Sequence, residues 1–328
     1  MIIFSSEIVP KDPLWKIDLL AYLIEEMGLS GVWLSEHPHN RSSFITASLL
    51  LKRVSQLWIG VGVVNPYTIN PFVIAQLTAS LTEIAPNRVK IAIGAGDKTT
   101  LESIGVERSN PLEKVREAVT IVRRILRERR VTMDNVDGRL DFNPRSYAPI
   151  YIGAQGPRML QLAGEIGDGV LVNYSNPEDL KWAYMQVKIG IDRSSRTMEN
   201  FDAAAYLTLS IDNDIEKAAK TAAPYAAYVL CGLPEKMIED LDIDDKFLNE
   251  VKETVKKADW LKLYSILPVE IIKKMVLVGR PSDLREVLEE VVEIGYRHIV
   301  LGAPLGPRIL YSLKEICKIT GELIKLHV

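Results

Sequence analysis

Hydrophobic residues along this chain follow two alternating patterns. Short runs rich in β-branched residues indicate buried strands, whereas the longer segments between them repeat their apolar positions about every 3.6 residues, as amphipathic helices do. Strands that alternate with helices in this way predict βα units around a parallel sheet. Eight segments carry the strand pattern: Ile2–Val9, Gly31–Leu34, Leu57–Val64, Arg88–Ile93, Ile150–Gly153, Gly169–Asn173, Ala203–Ser210 and His298–Leu301.

Prolines mark several of the predicted helix starts. Pro71, Pro111, Pro157 and Pro177 each open a helical pattern, at a position where the missing backbone N–H is not needed. Eight strands with interposed helices in 328 residues favour an α/β fold, a (βα)8 TIM barrel in one domain over residues 1–328. A doubly wound sheet stays an alternative, because counting strands cannot show that the sheet closes.

Two segments exceed what a minimal barrel needs. Residues 131–148 contain the turn signals Asp137-Gly138 and Asn143-Pro144, and they predict a turn-rich insertion for which a hairpin is one form. Residues 213–275 hold several helical patterns in series, more than one crossover requires. We expect a helical insertion or lid there, before the last strand.

Composition and charge narrow the function classes. The net charge is −3 and both signs are interleaved, which gives little support to a nucleic-acid partner. No apolar run approaches the roughly 20 residues that span a bilayer, and the first residues lack the features of a signal peptide. We therefore expect a soluble, cytoplasmic protein without a membrane partner. Cys231 and Cys317 lie far apart without a CxxC pair, which supports neither a disulfide framework nor a cysteine zinc site.

The polar, glycine-rich and proline-rich junctions follow the predicted strands. In a TIM barrel the carboxyl ends of all strands meet at one face, which holds the active site. The strand list therefore predicts the site from Glu7 and from the segments SEHPHN (35–40), GVVNPY (62–67), GAGDK (94–98), IGAQGP (152–157), NYSNPED (173–179) and GAPLGP (302–307).

The segment IGAQGP has the features of an anion-binding turn. It joins a strand to a helix, and the backbone amides beside Gly153 and Gly156 can hold an anion, aided by the helix dipole and by Arg158. The segment is neither G-x-G-x-x-G nor a Walker loop. A plain βα turn is the alternative.

Two acidic residues at strand ends are candidates for chemistry. Glu7 ends the first predicted strand, where an acid that points into the barrel mouth needs hydrogen bonds or a function. Asp97 follows Gly94 and Gly96, whose bare backbone would let a flat ligand approach closely. A solvated helix N-cap is the structural alternative for Asp97.

Two histidines stand beside an acid after the second predicted strand. His37 and His39 with Glu36 raise the possibility of a metal site, since His-x-His can chelate. A single short cluster without a second set of ligands is weak support, so no metal is assigned. A histidine that faces a cofactor and a structural histidine stay open.

Taken together and in order, these junctions resemble those of the bacterial luciferase-like superfamily. Within it they resemble the coenzyme F420-dependent methylenetetrahydromethanopterin reductases, over nearly the whole chain. The residues that carry the resemblance are EIVP (7–10), GVGVVNPY (60–67), RVKIAIGAGDK (88–98), PIYIGAQGPRMLQLAGEIGDG (149–169), NYSNPED (173–179), AAY with SID (204–212) and GAPLGP (302–307).

The resemblance implies a luciferase-like barrel that binds a 5-deazaflavin, coenzyme F420, at the carboxyl ends of its strands. It implies that the GAQGP turn holds the cofactor phosphate and that a cis peptide bond at Gly62-Val63 backs the deazaflavin ring. The implied cofactor-binding residues are Glu36, His37, Gly62, Val63, Asn65, Gly96, Gly153, Ala154, Gln155, Gly156, Pro157 and Asn173.

The resemblance also implies a reaction. Reduced deazaflavin would transfer a hydride to methylene-tetrahydromethanopterin, or to a related tetrahydropterin, to give the methyl form. Glu7 matches an acid near the pterin and would protonate or polarise its bridging nitrogen, and Asp97 matches an acid beside the ring. Glu36-His37 stands where the family commonly has Asp-His, which leaves the substrate less certain than the cofactor. These barrels often pair through their helices, so we expect a homo-oligomer, either a dimer or a tetramer.

Three alternatives stay open at this point. The barrel could use F420 on another substrate, or use FMN and oxygen as a monooxygenase. It could also hold a flavin-like molecule without turnover. Identification of the cofactor separates FMN from the deazaflavin, and turnover separates an enzyme from a binding protein.

Overall fold

Eight parallel strands close into a barrel. The computed structural model describes residues 2–133, 136–233, 238–239, 241 and 243–326. Each strand pairs with the next in the ring, and the last pairs with the first, so the predicted TIM barrel is confirmed and the doubly wound sheet is excluded. In ring order the strands are β1 (Ile3–Ile8), β2 (Gly31–Leu34), β3 (Trp58–Val64), β4 (Val89–Ile93), β7 (Ile150–Ala154), β8 (Gly169–Val172), β9 (Asp202–Ile211) and β11 (His298–Leu305).

The sequence pattern located all of these ring strands and missed a short one. β11 runs beyond the predicted end at Leu301 to Leu305, through a cis Ala303-Pro304 peptide bond. The missed strand, β10 (Leu277–Gly279), pairs with β9 outside the ring. Three residues are too few to show a period, and they lie between two helical patterns.

Helices surround the barrel, and several begin at the predicted prolines. Within the described residues, the helices that connect the ring strands and follow the last of them are α1 (Leu14–Glu26), α2 (Ser43–Arg53), α3 (Pro71–Ile84), α4 (Lys98–Ser103), α5 (Pro111–Glu128), α6 (Pro157–Ile166), α7 (Pro177–Arg193), α8 (Ile215–Gly232), α9 (Asp245–Lys256), α10 (Trp260–Ile266), α11 (Val269–Met275), α12 (Pro281–Ile294) and α13 (Ile309–Leu326). None of the described helices is both long and apolar enough to cross a membrane.

Two additions interrupt the βα repeat. β5 (Arg130–Met133) and β6 (Val136–Arg139) form an antiparallel hairpin at the start of the segment where the sequence predicted a turn-rich insertion. The helices α8 to α11 follow β9 in series, and α9, α10 and α11 all pack against α8. This second addition lies at the carboxyl ends of the strands and supplies one wall of the cavity described below.

Polar side chains fill the barrel near the amino ends of its strands. We call Ser5, Lys90, Tyr151, Asp202 and His298 the amino-end cluster. Asp202 Oδ2 lies 2.9 Å from His298 Nδ1 and accepts a 2.5 Å hydrogen bond from the Tyr151 hydroxyl. His298 Nε2 is 2.9 Å from Ser5 Oγ, and Lys90 Nζ donates to the Tyr151 hydroxyl at 2.9 Å. These contacts satisfy polar groups that would otherwise destabilise the barrel interior.

The charges of this cluster depend on one another. Burial by itself would raise the pKa of Asp202, but its contacts with His298, Lys90 and Tyr151 outweigh burial and lower that pKa well below the ordinary range. Burial lowers the pKa of Lys90, and the charge of Asp202 opposes that shift. Burial and the same carboxylate raise the pKa of Tyr151. The negative charge of Asp202 therefore acts on the pKa of both Lys90 and Tyr151.

Candidate active site

A cavity of about 1520 Å³ opens at the carboxyl ends of the strands. Its floor comes from strand ends, which supply Glu7, Gly62, Val63 and Leu171. Helix α8 and the residues after it form the opposite wall, with Tyr225 and Tyr228 facing the cavity. The predicted site and the predicted helical insertion therefore meet in a single cavity that is large enough to hold a cofactor.

Glu7 lies on the cavity floor with its carboxylate surrounded by donors. Ser35 Oγ donates a short hydrogen bond to Oε1, and the backbone N–H of Ala303 donates to Oε2 at 2.7 Å. The Tyr206 hydroxyl also donates to Glu7 and contacts Ser35, and this half-buried tyrosine lines the cavity. Three donors, one just after β2, one within β9 and one within β11, hold one carboxylate in a single orientation beside open space.

Two tyrosines near Glu7 keep their protons. Burial, followed by the negative charge of Glu7, raises the pKa of Tyr206 well above its ordinary value. Burial also raises the pKa of Tyr225, although Lys11, whose Nζ donates to the Tyr225 hydroxyl at 3.0 Å, opposes the shift. Both phenols are therefore neutral hydrogen-bond donors at neutral pH.

A cis peptide bond joins Gly62 to Val63, as the resemblance implied. The register of β3 against β4 shifts between Val61 and Val64, so the strand bulges at this point. The Val63 side chain fits between Gly94 and Gly153, because a Cβ on either glycine would lie 2.5 Å from a Val63 methyl group. These glycines therefore allow the Val63 bulge to form part of the floor.

The neighbouring Gly96 has a similar packing role. Its φ is +66°, and a Cβ there would lie 2.2 Å from Asn65 Nδ2. Asn65 Nδ2 donates to the carbonyl of Ala95 at 3.1 Å, while its Oδ1 accepts from the Tyr67 N–H at 2.9 Å. Gly94 and Gly96 both line the cavity, and neither position has room for a Cβ, so the approach of a flat ligand to their backbone stays a prediction.

Asp97 is a helix N-cap that also lines the cavity. It is the N-cap of α4, and its Oδ1 accepts a 2.7 Å hydrogen bond from the N–H of Thr100. The residue is half-buried and also lines the cavity. The cap fixes the side chain at the cavity edge, and a catalytic role for it stays a prediction.

The GAQGP turn lines the cavity over its whole length. Gly156 is the N-cap of α6, and a Cβ added to Gly156 would meet no atom within 4 Å, so the backbone there faces open space. Gln155 Nε2 donates to the carbonyl of Asn173 at 3.1 Å, and the Tyr174 hydroxyl donates to the carbonyl of Gln155 at 3.0 Å. An exposed helix start on a fixed turn suits an anion.

Three predicted cofactor-binding residues do not line the cavity. The Asn65 side chain bonds to backbone groups of Ala95 and Tyr67. Glu36 Oε2 accepts a hydrogen bond from the N–H of Ser43 at 2.8 Å, at the start of α2. His37 packs against Tyr228, with the ring centroids 6.1 Å apart. The pKa of His37 is lowered by burial and by His39. Their contacts are thus structural or indirect, and cofactor binding by them stays a prediction. Among the described residues no three His, Cys, Asp or Glu side chains form a metal-ligand set.

The sequence analysis assigned no role to several groups at the site, although Ser35 and Ala303 lie in the predicted segments SEHPHN and GAPLGP. Ser35, Tyr206 and the Ala303 amide surround Glu7, and Arg108 lines the cavity from the loop before α5. Tyr206 lies within a buried strand, and Arg108 lies in a charged loop, so neither has a local signal. The position of Ser35 at the end of β2 was the available clue.

Comparison with known proteins places this architecture in a family. A family model described as luciferase-like monooxygenase matches residues 7–298. The 5,10-methylenetetrahydromethanopterin reductase of Archaeoglobus fulgidus is 34% identical over 324 residues, 96% of this chain and 97% of that protein. The enzyme of the same name from Methanolobus tindarius is 34% identical over 322 residues, 96% of this chain and 98% of that protein.

A solved structure agrees with these sequence matches. The coenzyme F420-dependent tetrahydromethanopterin reductase of Methanopyrus kandleri superposes with a TM-score of 0.85 at 29% identity, over 96% of this chain and 97% of that one. The likeness extends over nearly the whole chain rather than over one motif. This chain therefore belongs to the luciferase-like family, together with these 5,10-methylenetetrahydromethanopterin reductases.

Proposed function

We propose that this protein is a coenzyme F420-dependent reductase that converts methylene-tetrahydromethanopterin, or a related tetrahydropterin, to the methyl form. The observation that carries the proposal is the Glu7 carboxylate, held by Ser35, Tyr206 and Ala303 on the floor of a cofactor-sized cavity. Full-length similarity to the reductases supports the same reaction.

The described residues fit a deazaflavin cofactor with a phosphate in its tail. The Gly62-Val63 bulge offers a flat, apolar floor for a ring system, and the turn from Gly153 to Pro157 offers backbone N–H groups to an anion. When bound, coenzyme F420 supplies a hydride from C5 of its reduced deazaflavin. The protein contributes orientation, exclusion of water and control of protons.

Glu7 has the central role in proton control. In the reaction a carbon–nitrogen bond of the methylene bridge breaks, the carbon gains a hydride, and the nitrogen gains a proton. We assign Glu7 as the group that takes up a proton and passes it to this nitrogen, since its carboxylate lines the cavity floor. Tyr206 and Ser35 hold the carboxyl group in place, and Asp97 at the cavity edge would assist by a hydrogen bond near the ring.

Assembly and location stay predictions. A homo-oligomer, a dimer or tetramer, is supported by exposed apolar side chains on neighbouring helices: Trp15 of α1 is 69% exposed and Ile45 of α2 is 64% exposed. Sedimentation of the purified protein tests this. A cytoplasmic location accords with the substrate class and needs a localisation experiment.

The test of the reaction is oxidation of the deazaflavin. Purified protein is mixed with reduced F420 and methylene-tetrahydromethanopterin, and absorbance of oxidised F420 is recorded, with FMN in place of F420 as a control. We expect oxidation that depends on the pterin. Tight F420 binding without pterin-dependent oxidation would contradict the substrate assignment, and binding of FMN alone would contradict the cofactor assignment.

A further inference from the structure

Arg108 has a buried donor without a partner beside the active-site cavity. The residue lies in the loop between α4 and α5, and its Nε is inaccessible to solvent yet makes no hydrogen bond within the described part of the chain. Arg108 lines the main cavity and also a smaller adjoining pocket of about 420 Å³. Buried donors without acceptors are rare in native proteins, so this one calls for an explanation.

Nearby groups do not neutralise the guanidinium. Glu102, which lines both cavities with Arg108, is paired with Lys98 at 3.6 Å. Among the described residues no carboxylate forms an ion pair with Arg108. Its loop is nevertheless anchored, because the Tyr67 hydroxyl donates to the carbonyl of Ser109. A positive charge is thus held at the cavity wall with its Nε donor unpaired.

The location of Arg108 relates it to the anion-binding turn. Helices α5 and α6 pack side by side, and both begin at the carboxyl ends of the strands. The loop that ends at Asn110 and the turn from Gly153 to Pro157 therefore line one cavity. A ligand with its phosphate on the turn and further negative charge beyond it would reach this wall.

We propose that Arg108 binds an oxyanion in the tail of the deazaflavin cofactor, either the phosphate or a carboxylate beyond it. The proposal rests on the function proposed above. The planar guanidinium can donate two parallel hydrogen bonds to either group, which a lysine ammonium cannot match. Arg108 thereby distinguishes the complete cofactor from a deazaflavin that lacks the anionic tail.

The test measures cofactor binding rather than turnover. Quenching of deazaflavin fluorescence gives Kd for wild type, Arg108→Gln and Arg108→Lys. The probes are F420 with its glutamates, F420 without glutamates, and the deazaflavin ribityl fragment that lacks the phosphate. We expect Arg108→Gln to weaken binding of complete F420 on the order of 10- to 100-fold. Arg108→Lys should fall between, and binding of the phosphate-free fragment should not change.

The three probes separate the two sources of the oxyanion. An equal loss with and without glutamates assigns Arg108 to the phosphate or the carboxylate next to it. A loss only with the glutamates assigns it to the carboxylates of the chain. The salt dependence of Kd should also weaken in Arg108→Gln, because salt screens the interaction between the cation and the cofactor.

Controls separate this role from a structural one. Arg139→Gln removes an exposed arginine of the β5–β6 hairpin, 74% exposed and paired with Asp141, and should bind every probe like wild type. Without cofactor, Arg108→Gln should unfold no earlier than wild type, whereas the rise in Tm caused by F420 should shrink.

Two results would overturn the proposal. One is wild-type affinity of Arg108→Gln for F420. The other is an equal loss of affinity for the phosphate-free fragment, which would show that Arg108 only shapes the loop. If wild type itself failed to bind F420, the proposed function would fail first.

Discussion

The barrel contains two clusters of hydrogen-bonded polar side chains, one at each end, with opposite surroundings. At the carboxyl end, Ser35, Tyr206 and the Ala303 amide all donate to Glu7, beside a cavity of about 1520 Å³. At the amino end, the cluster centred on Asp202 is packed into the barrel, and its members line neither of the described cavities. In each cluster a carboxylate accepts the hydrogen bonds of the surrounding donors. The clusters differ in that only the one around Glu7 lines a cavity.

The amino-end cluster shows why connectivity alone does not identify an active site. Ser5 Oγ lies 2.9 Å from His298 Nε2, and His298 Nδ1 lies 2.9 Å from Asp202, which is the bonding order of a serine–histidine–acid triad. Ser5 and His298 are both 0% exposed. No substrate carbonyl can reach Ser5 in this structure, so the arrangement stabilises the barrel interior. A candidate nucleophile therefore needs an open position beside it as well as a base.

The largest expected difference between the clusters is between the effects of removing the charge of Glu7 and of removing the charge of Asp202. Glu7→Gln should lower kcat roughly 100- to 10,000-fold, because general acid catalysis typically contributes that much. The Kd for F420 and the Tm should stay close to wild type, since Gln keeps the shape of the side chain. Single-turnover oxidation of reduced F420 over a range of pH measures the effect. Full turnover at every pH would remove Glu7 from the proton-transfer step.

Asp202→Asn should have the opposite profile. Loss of the anion leaves His298 and Lys90 without their partner, and breaking such a buried pair destabilises by about 3 kcal/mol. Urea unfolding gives the change, and kcat of the folded variant should match wild type. Asp141→Asn, which removes an exposed acid, is the matched control and should unfold like wild type. A large loss of kcat in a stable Asp202→Asn protein would show that the amino-end cluster also affects catalysis, and would contradict the purely structural role given to it.

Alanine substitutions at two glycines of the same turn should have different effects, one on packing and the other on ligand binding. In Gly153→Ala the new methyl would lie 2.5 Å from Val63, and such overpacking destabilises by about 1–3 kcal/mol. In Gly156→Ala the methyl meets no protein atom within 4 Å, so Tm should not change while F420 binds more weakly. Thermal unfolding and fluorescence titration check both. Unchanged F420 affinity in Gly156→Ala would place the cofactor phosphate elsewhere.

The smallest expected effect concerns the pH dependence of the stability that Asp202 contributes, which changes only in acid. The pKa of Asp202 is lowered in the folded protein, because its partners outweigh burial. A carboxylate with a lowered folded pKa stabilises above its unfolded pKa, about 3.9, and loses that contribution as pH falls through the folded value. The difference in unfolding free energy between wild type and Asp202→Asn should therefore be constant from pH 7 to 5 and shrink below about pH 4. A constant difference down to pH 2 would contradict this assignment.

Local sequence patterns predicted the scaffold well. Apolar runs with β-branched residues identified every ring strand, because each is buried on both faces and bounded by turn residues. The rule that active sites lie at the carboxyl ends of barrel strands then brought Glu7, Asp97 and the GAQGP turn into one site. It also included Glu36 and Asn65, which follow strands but whose side chains bond to backbone groups instead.

The sequence by itself determined the alternation of strands and helices, most of the strand ends and the resemblance to the luciferase-like reductases, because these depend on the order of residues along the chain. Only the tertiary structure decided what surrounds each side chain. Tyr206 of β9 reaches Glu7 of β1 past the strand β11 that lies between them, and Val63 fills the space that Gly94 leaves. Arg108 keeps a buried donor unpaired. Such relations join residues far apart in sequence, and burial and hydrogen bonding depend on distances in space that no local pattern encodes.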